Sequence, residues 1–435
     1  MTDPRVVDAV IVGAGHNGLA MSAELARHGV DHVVLERGAV AQRWRAERWD
    51  SMRLLTPNWM TRLPGWHYRG DDPHGFMSAA ETAAFISSYA AQLAAPVRTH
   101  TAVTAVQPDG AAYRVDTSRG TWRTRLLVIA SGAYGKPRVP RLAAQLPPGV
   151  AQLHAAQYRS PAQLEEGRVL VVGASATGLQ LAQEIRRSGR PVTLAAGEHV
   201  RLPRLYRGRD IHWWMHEAGL LAQRIEDEED PARARRLPSP QLAGTPERAT
   251  LDLQTLRAEG VEVVGRLVGV RDGQAQFSGS LRNVCALADL KMNRLLDGLD
   301  SFAARRGLDA ALGPVERFAP TLPAAPPKLM QAFGTAGAFG TVIWATGFSP
   351  DLDWLQLPVF HADGSLRHDR GLVAPGVCML GLPFMRRRQS SFIHGCEDDV
   401  RELGALLLAH LRGTPGRRRW GADIQPFSEA MPTSG

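Results

Sequence analysis

Two short glycine clusters are the residues in this chain whose type and spacing could do chemistry. Gly13, Gly15 and Gly18 follow an apolar run from Val6 to Val12, and Gly173, Ser175 and Gly178 follow a second run from Arg168 to Val172. In each, the pattern predicts a strand, a tight turn and a helix. The first small residue permits the bend. The second lets a pyrophosphate approach bare backbone, and the third lets helix and strand pack closely. The phosphates then lie at the positive end of the helix. The chemistry so served is the holding of a dinucleotide.

The residues that follow each cluster differ. The strand predicted at 32–36 ends in Glu36, and 36 − 13 = 23 positions separate that acid from the first glycine. A carboxylate there accepts bonds from ribose hydroxyls and disfavours a 2′-phosphate, so the first site suits FAD or NAD. The strand predicted at 191–195 has no terminal acid. Arg201, Arg204, Arg207 and Arg209 crowd the next stretch, and Arg201 and Arg204 are the expected partners of a 2′-phosphate. Each half closes on a strand ending in Ala-x-Gly, first Ala130-Ser131-Gly132 and then Ala345-Thr346-Gly347. Such an ending brings bare backbone close to a cofactor. Gly381, in the apolar stretch 377–383, belongs to a strand returning to the first half.

The elements needed to position these residues form an α/β fold with two Rossmann-like dinucleotide-binding domains, of the glutathione-reductase-like FAD/NAD(P) type, with helical insertions. The boundaries are 1–163 for the FAD domain, 164–339 for the NAD(P)H domain, 340–415 for the return segment and 416–435 for a disordered tail. Alternating patterns at 101–106, 112–117 and 121–129 follow the first copy, and 261–270 and 274–277 follow the second. The glycine-to-glycine span is 132 − 13 = 119 in the first copy and 347 − 173 = 174 in the second. The extra length lies in 204–217, the acidic stretch 226–230 and an amphipathic helix at 285–304. These insertions cap the cleft or form a homodimer surface.

Composition narrows the function classes. Lys+Arg is 51 and Asp+Glu is 43, a net charge of +8, and nearly all the cations are arginine. Without a reader fold or a stripe of charge, nucleic acid is not an expected partner; dinucleotide phosphates are. Arg417-Arg418-Arg419 reads as a solvated tail. Cys285, Cys378 and Cys396 show no short spacing, which predicts a reducing, cytoplasmic setting. No signal peptide is read before the first strand, and no apolar run reaches the ~18 residues of a membrane span. His212 and His216 stand four apart beside Glu217, with no third metal ligand indicated. Ser175 lacks the flanking pattern of a hydrolase nucleophile.

Taken together, the two glycine loops, Ala345-Thr346-Gly347 and Leu202-Pro203-Arg204 resemble the class B flavin monooxygenases: the flavin-containing monooxygenases, the plant YUCCA enzymes and bacterial relatives. His154-Ala-Ala-Gln-Tyr158 matches the second half of their signature. The first half departs from it, with Pro148 and Val150 where the family has Phe and Gly. The resemblance implies FAD and NADPH as cofactors, with NADH possible. It implies FAD contacts from Arg37, Trp44 and Arg45, and an Asn58 amide at the reactive edge of the flavin. It also implies that the N-terminus of the last helix faces the flavin. The activity implied is oxygenation of a small molecule by O₂ through a C4a-(hydro)peroxyflavin, at nitrogen, at sulfur or on a keto acid. The alternatives are an NAD(P)H oxidoreductase or oxidase without oxygen insertion, a disulfide reductase, and a non-catalytic flavin-binding redox sensor.

Overall fold

The computed structural model describes residues 3–334 and 337–413. The tail expected at 416–435, with its arginine triplet, lies outside them. In the first half, β1 (Arg5–Val12) leads through the glycine turn into α1 (His16–Arg27) and then β2 (His32–Leu35). After a loop region come α2 (Ala79–Gln92) and β3 (Val97–Arg98). A meander of β4 (Val103–Asp109), β5 (Ala112–Thr117) and β6 (Gly120–Ile129) follows. β1 lies between β2 and β6, parallel to both.

The second half repeats the plan. β7 (Ala151–His154) precedes β8 (Arg168–Val172), α3 (Ala176–Arg187) and β9 (Val192–Ala196). Further on, β10 (Glu262–Gly265) adds to β9. A three-stranded antiparallel sheet follows, made of β11 (Leu267–Arg271), β12 (Gln274–Phe277) and β13 (Met330–Ala332). β14 (Phe339–Trp344) then enters between β7 and β8, so the order of this parallel sheet is β7-β14-β8-β9-β10. The chain returns through β15 (Leu372–Ala374) and β16 (Val377–Met379), which pairs with β6. α4 (Cys396–Leu411) closes on α1.

Both sheets are covered on two faces, which is why their strands read as continuous apolar runs. Ala9 and Ile11 face one core with α1, α2 and α4, while Val10 and Val12 face another beneath the meander. In the second half Val169 and Val171 pack against α3, and Leu170 and Val172 pack against the antiparallel sheet. The stretch 261–270, expected as one strand, breaks at Arg266. Gly265 ends β10 so close to the next turn that an added Cβ would lie 1.9 Å from the Ser278 carbonyl oxygen. The chain turns there from one sheet into the other.

The inserted stretch builds a core of its own. Leu205–Tyr206 and Arg209–Asp210 form a small hairpin, followed by a short helix Ile211–Glu217 capped by the Asp210 side chain on the His212 N–H. The long helix Leu281–Arg305 lays Met292, Leu296 and Leu299 against Tyr206 and Trp214. The Trp214 Nε1 donates to Tyr206 O at 2.8 Å. No helix among the described residues is long and apolar enough to cross a membrane. Phe339 starts the strand that ties β7 to β8 and is fully buried. Phe339→Ala should therefore cost about 3–5 kcal/mol, read as a lower midpoint in urea unfolding.

Candidate functional site: two dinucleotide cradles

Each cradle is shaped by contacts that only a missing side chain allows. Gly13 has φ +110°, and an added Cβ would lie 2.7 Å from Ala130 O; Gly173 has φ +113°, and its Cβ would lie 2.4 Å from Ala345 O. A Cβ on Gly18 would sit 1.9 Å from Gly13 O, and one on Gly178 would sit 1.8 Å from Gly173 O. In each copy the helix thus starts against the turn itself, with its first N–H groups facing outward. The space over Gly15 is open, with nothing within 4 Å of a Cβ built there. Ser175, at the matching place, caps α3 without spending its hydroxyl on the helix.

Glu36 is buried and holds the first turn. Its carboxylate accepts from the Ala14 N–H at 2.9 Å and the Gly38 N–H at 3.0 Å, one bond to each oxygen. The remaining lone pairs are left for ribose hydroxyls. Around the same turn Asn17 Oδ1 and Ser131 Oγ are buried without a partner. Asn17 is also packed against Gly381 of the return segment, where an added Cβ would fall 2.4 Å from its Nδ2. Burial lowers the His16 pKa to about 4, so the imidazole beside the turn is neutral. In the second cradle the buried Gln241 donates to Ala174 O at 2.9 Å and leaves its Oε1 unpaired. Open backbone, two helix starts and unsatisfied buried acceptors fit two dinucleotides, FAD in front and a nicotinamide dinucleotide behind. Asn17, Ser131 and Gln241 escaped the sequence reading because their exposure to a cradle depends on partners far along the chain.

Other expected contacts are placed less simply. Arg37 pairs with Glu47 at 2.9 Å on the surface. Arg45 donates to Ser87 Oγ at 2.8 Å, tying the segment after Glu36 to α2. Trp44 is half-buried against the front core, with the Arg48 guanidinium 5.2 Å from its ring centre. Gly132 lies just past β6. Thr346 Oγ1 donates to Arg138 O, and Gly347 O accepts from the Arg138 N–H at 2.9 Å, so the second Ala-x-Gly clasps the crossing between the halves. Asn58 is committed within its own loop: Nδ2 donates to Asp72 O at 2.9 Å and Oδ1 accepts from Met77 N–H at 2.8 Å. Its amide closes the 57–77 loop through these two bonds, with one N–H and one lone pair beyond them.

The largest departure concerns the arginines. Arg201 donates to Asp252 at 2.9 Å, to Asp289 at 2.8 Å and to Ala319 O at 2.9 Å. Arg204 is wholly buried, pairs with Asp210, donates to Leu55 O at 2.7 Å and lies 4.5 Å from the Phe76 ring centre. Arg207 binds Asp300 and Asp309, and Arg209 covers Trp213. Arg201 and Arg204, expected at a 2′-phosphate, instead fasten the insertion, and Arg204 fastens it to the front half. Spacing could not show this, because the acids that neutralise Arg201 lie 51 and 88 positions away.

Near the last helix, rings from three segments meet. His216 stands edge-on to Trp59 with centroids 5.5 Å apart, and Phe392 contacts both His212 at 6.3 Å and His394 at 5.5 Å. Burial, then the nearby Arg62, pushes the His394 pKa down to about 3, and its Nε2 has no partner. This aromatic cluster, whose His394 stands two residues before α4, shows no spacing signal.

Residues 10–206 match the model of the pyridine nucleotide-disulphide oxidoreductase family. An uncharacterized CzcO-like oxidoreductase of Geobacillus kaustophilus is 28% identical over 93% of this chain and 99% of its own. The indole-3-pyruvate monooxygenase YUCCA1 of Oryza sativa subsp. japonica is 33% identical over 46% of this chain and 50% of its own. The solved flavin-containing monooxygenase of Stenotrophomonas maltophilia superposes with a TM-score of 0.62 at 22% identity, covering 93% of this chain and 99% of that one. What the chain shares with these proteins is the fold, an α/β architecture with two dinucleotide-binding halves.

Two outcomes test this geometry. Gly18→Val sets a side chain against Gly13 O and should leave purified protein with little or no bound flavin, measured by its absorbance spectrum. Arg204→Ala strands a buried Asp210 carboxylate and should cost about 3–5 kcal/mol of stability, checked by chemical denaturation.

Proposed function

We propose that this protein is an FAD-dependent, NADPH-consuming monooxygenase that inserts one oxygen atom of O₂ into a small soft nucleophile: an amine, a thioether or an enolisable keto acid. The observation that carries the reading is the pair of glycine cradles in one chain, the first with an acid at the ribose position and the second without one. Bound FAD would supply the hydride acceptance and the oxygen activation. The residues of the chain hold, orient and shield.

Gly13, Gly15 and Gly18 with the start of α1 hold the FAD pyrophosphate, and Glu36 holds the adenosine ribose. Neutral His16 adds no competing charge, while Asn17 Oδ1 and Ser131 Oγ receive polar groups of the prosthetic group. Gly173, Ser175, Gly178 and Gln241 hold the diffusible donor. The insertion core, fixed to the front half by Arg204 on Leu55 O, shields the reacting edge from water, as oxygenation chemistry requires. The ring cluster of Trp59, His212, His216 and His394 forms the wall met by substrate. Its imidazoles are polar, and burial holds His212 and His394 in the neutral form, a surface suited to a small, partly apolar molecule.

A disulfide-reductase reading asks for a thiolate beside the flavin. Burial raises the Cys285 pKa to about 11 and the Cys378 pKa to about 12, and it raises Cys396 further. All three are buried and free, and none makes a disulfide with another. The cysteines are core residues, which favours oxygenation over thiol exchange. We place the protein in the cytoplasm on the same cysteine usage.

The decisive experiment supplies NADPH and ¹⁸O₂ to the purified yellow protein with a panel of amines, thioethers and 2-keto acids. The expected result is one ¹⁸O atom in a product and one NADPH consumed per product. Recovery of all consumed O₂ as hydrogen peroxide with every substrate would favour an oxidase instead. Glu36→Ala should weaken FAD retention about tenfold or more, measured by flavin release on dilution.

A further inference from the structure

The second cradle lacks an acid at its ribose position, and the structure places a different residue there. In the first copy Val12 pairs with Leu35, and Glu36 follows. In the second Val172 pairs with Ala195, so Ala196 stands where Glu36 does and Gly197 comes next. The neighbouring strand β10 runs parallel to β9, with Ala196 opposite Gly265. The next residues on the two strands, Gly197 and Arg266, are therefore side by side at the carboxyl edge of the sheet, where dinucleotides bind in folds of this type.

A Cβ built on Gly197 would lie 3.7 Å from Arg266 Cδ and 3.8 Å from its Cβ and Cγ. The aliphatic stem of Arg266 thus crosses the bare backbone of Gly197. Its guanidinium is exposed and, among the described residues, has no carboxylate or hydrogen-bond partner. The neighbouring charges cancel, because Glu198 is paired with Lys291 at 3.1 Å. The loop is set by buried His199, whose ring N–H donates to Gly197 O at 2.9 Å. Among the arginines of this region Arg201, Arg204 and Arg207 are spent on carboxylates. Arg266 alone of these keeps an unspent fork at the edge of the cradle.

We propose that Arg266 is the residue that selects the nicotinamide donor, by binding the 2′-phosphate of NADPH through its free guanidinium. This rests on the reading of the second cradle as a nicotinamide site. A guanidinium matches a phosphate with two parallel N–H bonds, and the absent acid at Ala196 removes the repulsion that Glu36 creates in the first copy. The position belongs to the third strand of the nucleotide fold, not to the loop after the second strand.

The test measures binding rather than turnover. The FAD-loaded full chain is titrated calorimetrically with 2′,5′-ADP and with 5′-AMP, which differ in the 2′-phosphate. The wild type should bind 2′,5′-ADP at least tenfold more tightly. Arg266→Ala should remove that preference and leave 5′-AMP affinity within twofold, and Arg266→Lys should restore part of it. Because the guanidinium has no internal partner, the melting temperature should not move. An undiminished preference in Arg266→Ala overturns the proposal, as does equal binding of both ligands by the wild type. Binding of neither ligand by the wild type would remove the second cradle itself, and with it the role of Arg266; the first two results leave that cradle standing.

Discussion

The structure depends on a contact between backbone and backbone. In each half the helix after the glycine turn begins so close to the turn that the third glycine's missing Cβ is the only clearance available. An added Cβ would lie 1.9 Å from Gly13 O at Gly18 and 1.8 Å from Gly173 O at Gly178. No rotamer change relieves a clash with a carbonyl oxygen of the main chain. Once that approach is fixed, the helix axis points its first N–H groups across the open space over the second small residue. The parallel order of the sheet then brings Ala130-Ser131-Gly132 or Ala345-Thr346-Gly347 alongside. Strand pairing, helix direction and anion binding are consequences of one steric allowance used twice.

What distinguishes the two copies is added to that common frame. In the first, a carboxylate ties two backbone N–H groups and keeps lone pairs outward. In the second, small residues occupy the corresponding place, and the cationic character comes from the adjacent strand. In the first, Asn17 is pressed by Gly381 from the return segment, so the front cradle is completed by chain more than 360 residues later in sequence. The other is bounded by a corner at Gly265 and a short loop.

The frame was legible in the sequence because its signals are local. Glycine spacing, apolar runs and the acid after β2 all act within about one βαβ unit, and the fold and both cradles follow from them. The long helix of the insertion was also legible from its periodicity, and the structure extends it to Leu281–Arg305. The candidate site was legible only in part. Arg201 and Arg204 look free in sequence, but their charges are consumed by Asp252, Asp289 and Asp210, and only tertiary pairing reveals it. Asn58 has the right chemistry for a flavin neighbour, yet its amide also ties its own loop together through Asp72 and Met77, which spacing does not show. The break at Arg266 was invisible because the residues on either side continue the same β pattern while changing sheets.

That last point bears on how charge is used in an arginine-rich chain. A buried guanidinium must be neutralised, or its desolvation is uncompensated, so each arginine drawn into the insertion recruits acids to itself. Arg201 takes two and Arg207 takes two. These buried arginines therefore stiffen the insertion and are not available to a phosphate. A residue that keeps its charge for a ligand has to stand at an edge, with its stem supported and its head in water. The corner after β10 provides this: Gly197 supports the stem of Arg266, and among the described residues no acid pairs with the head. Length of side chain and position at a sheet edge, more than nearness in sequence to the second glycine loop, decide which arginine remains available.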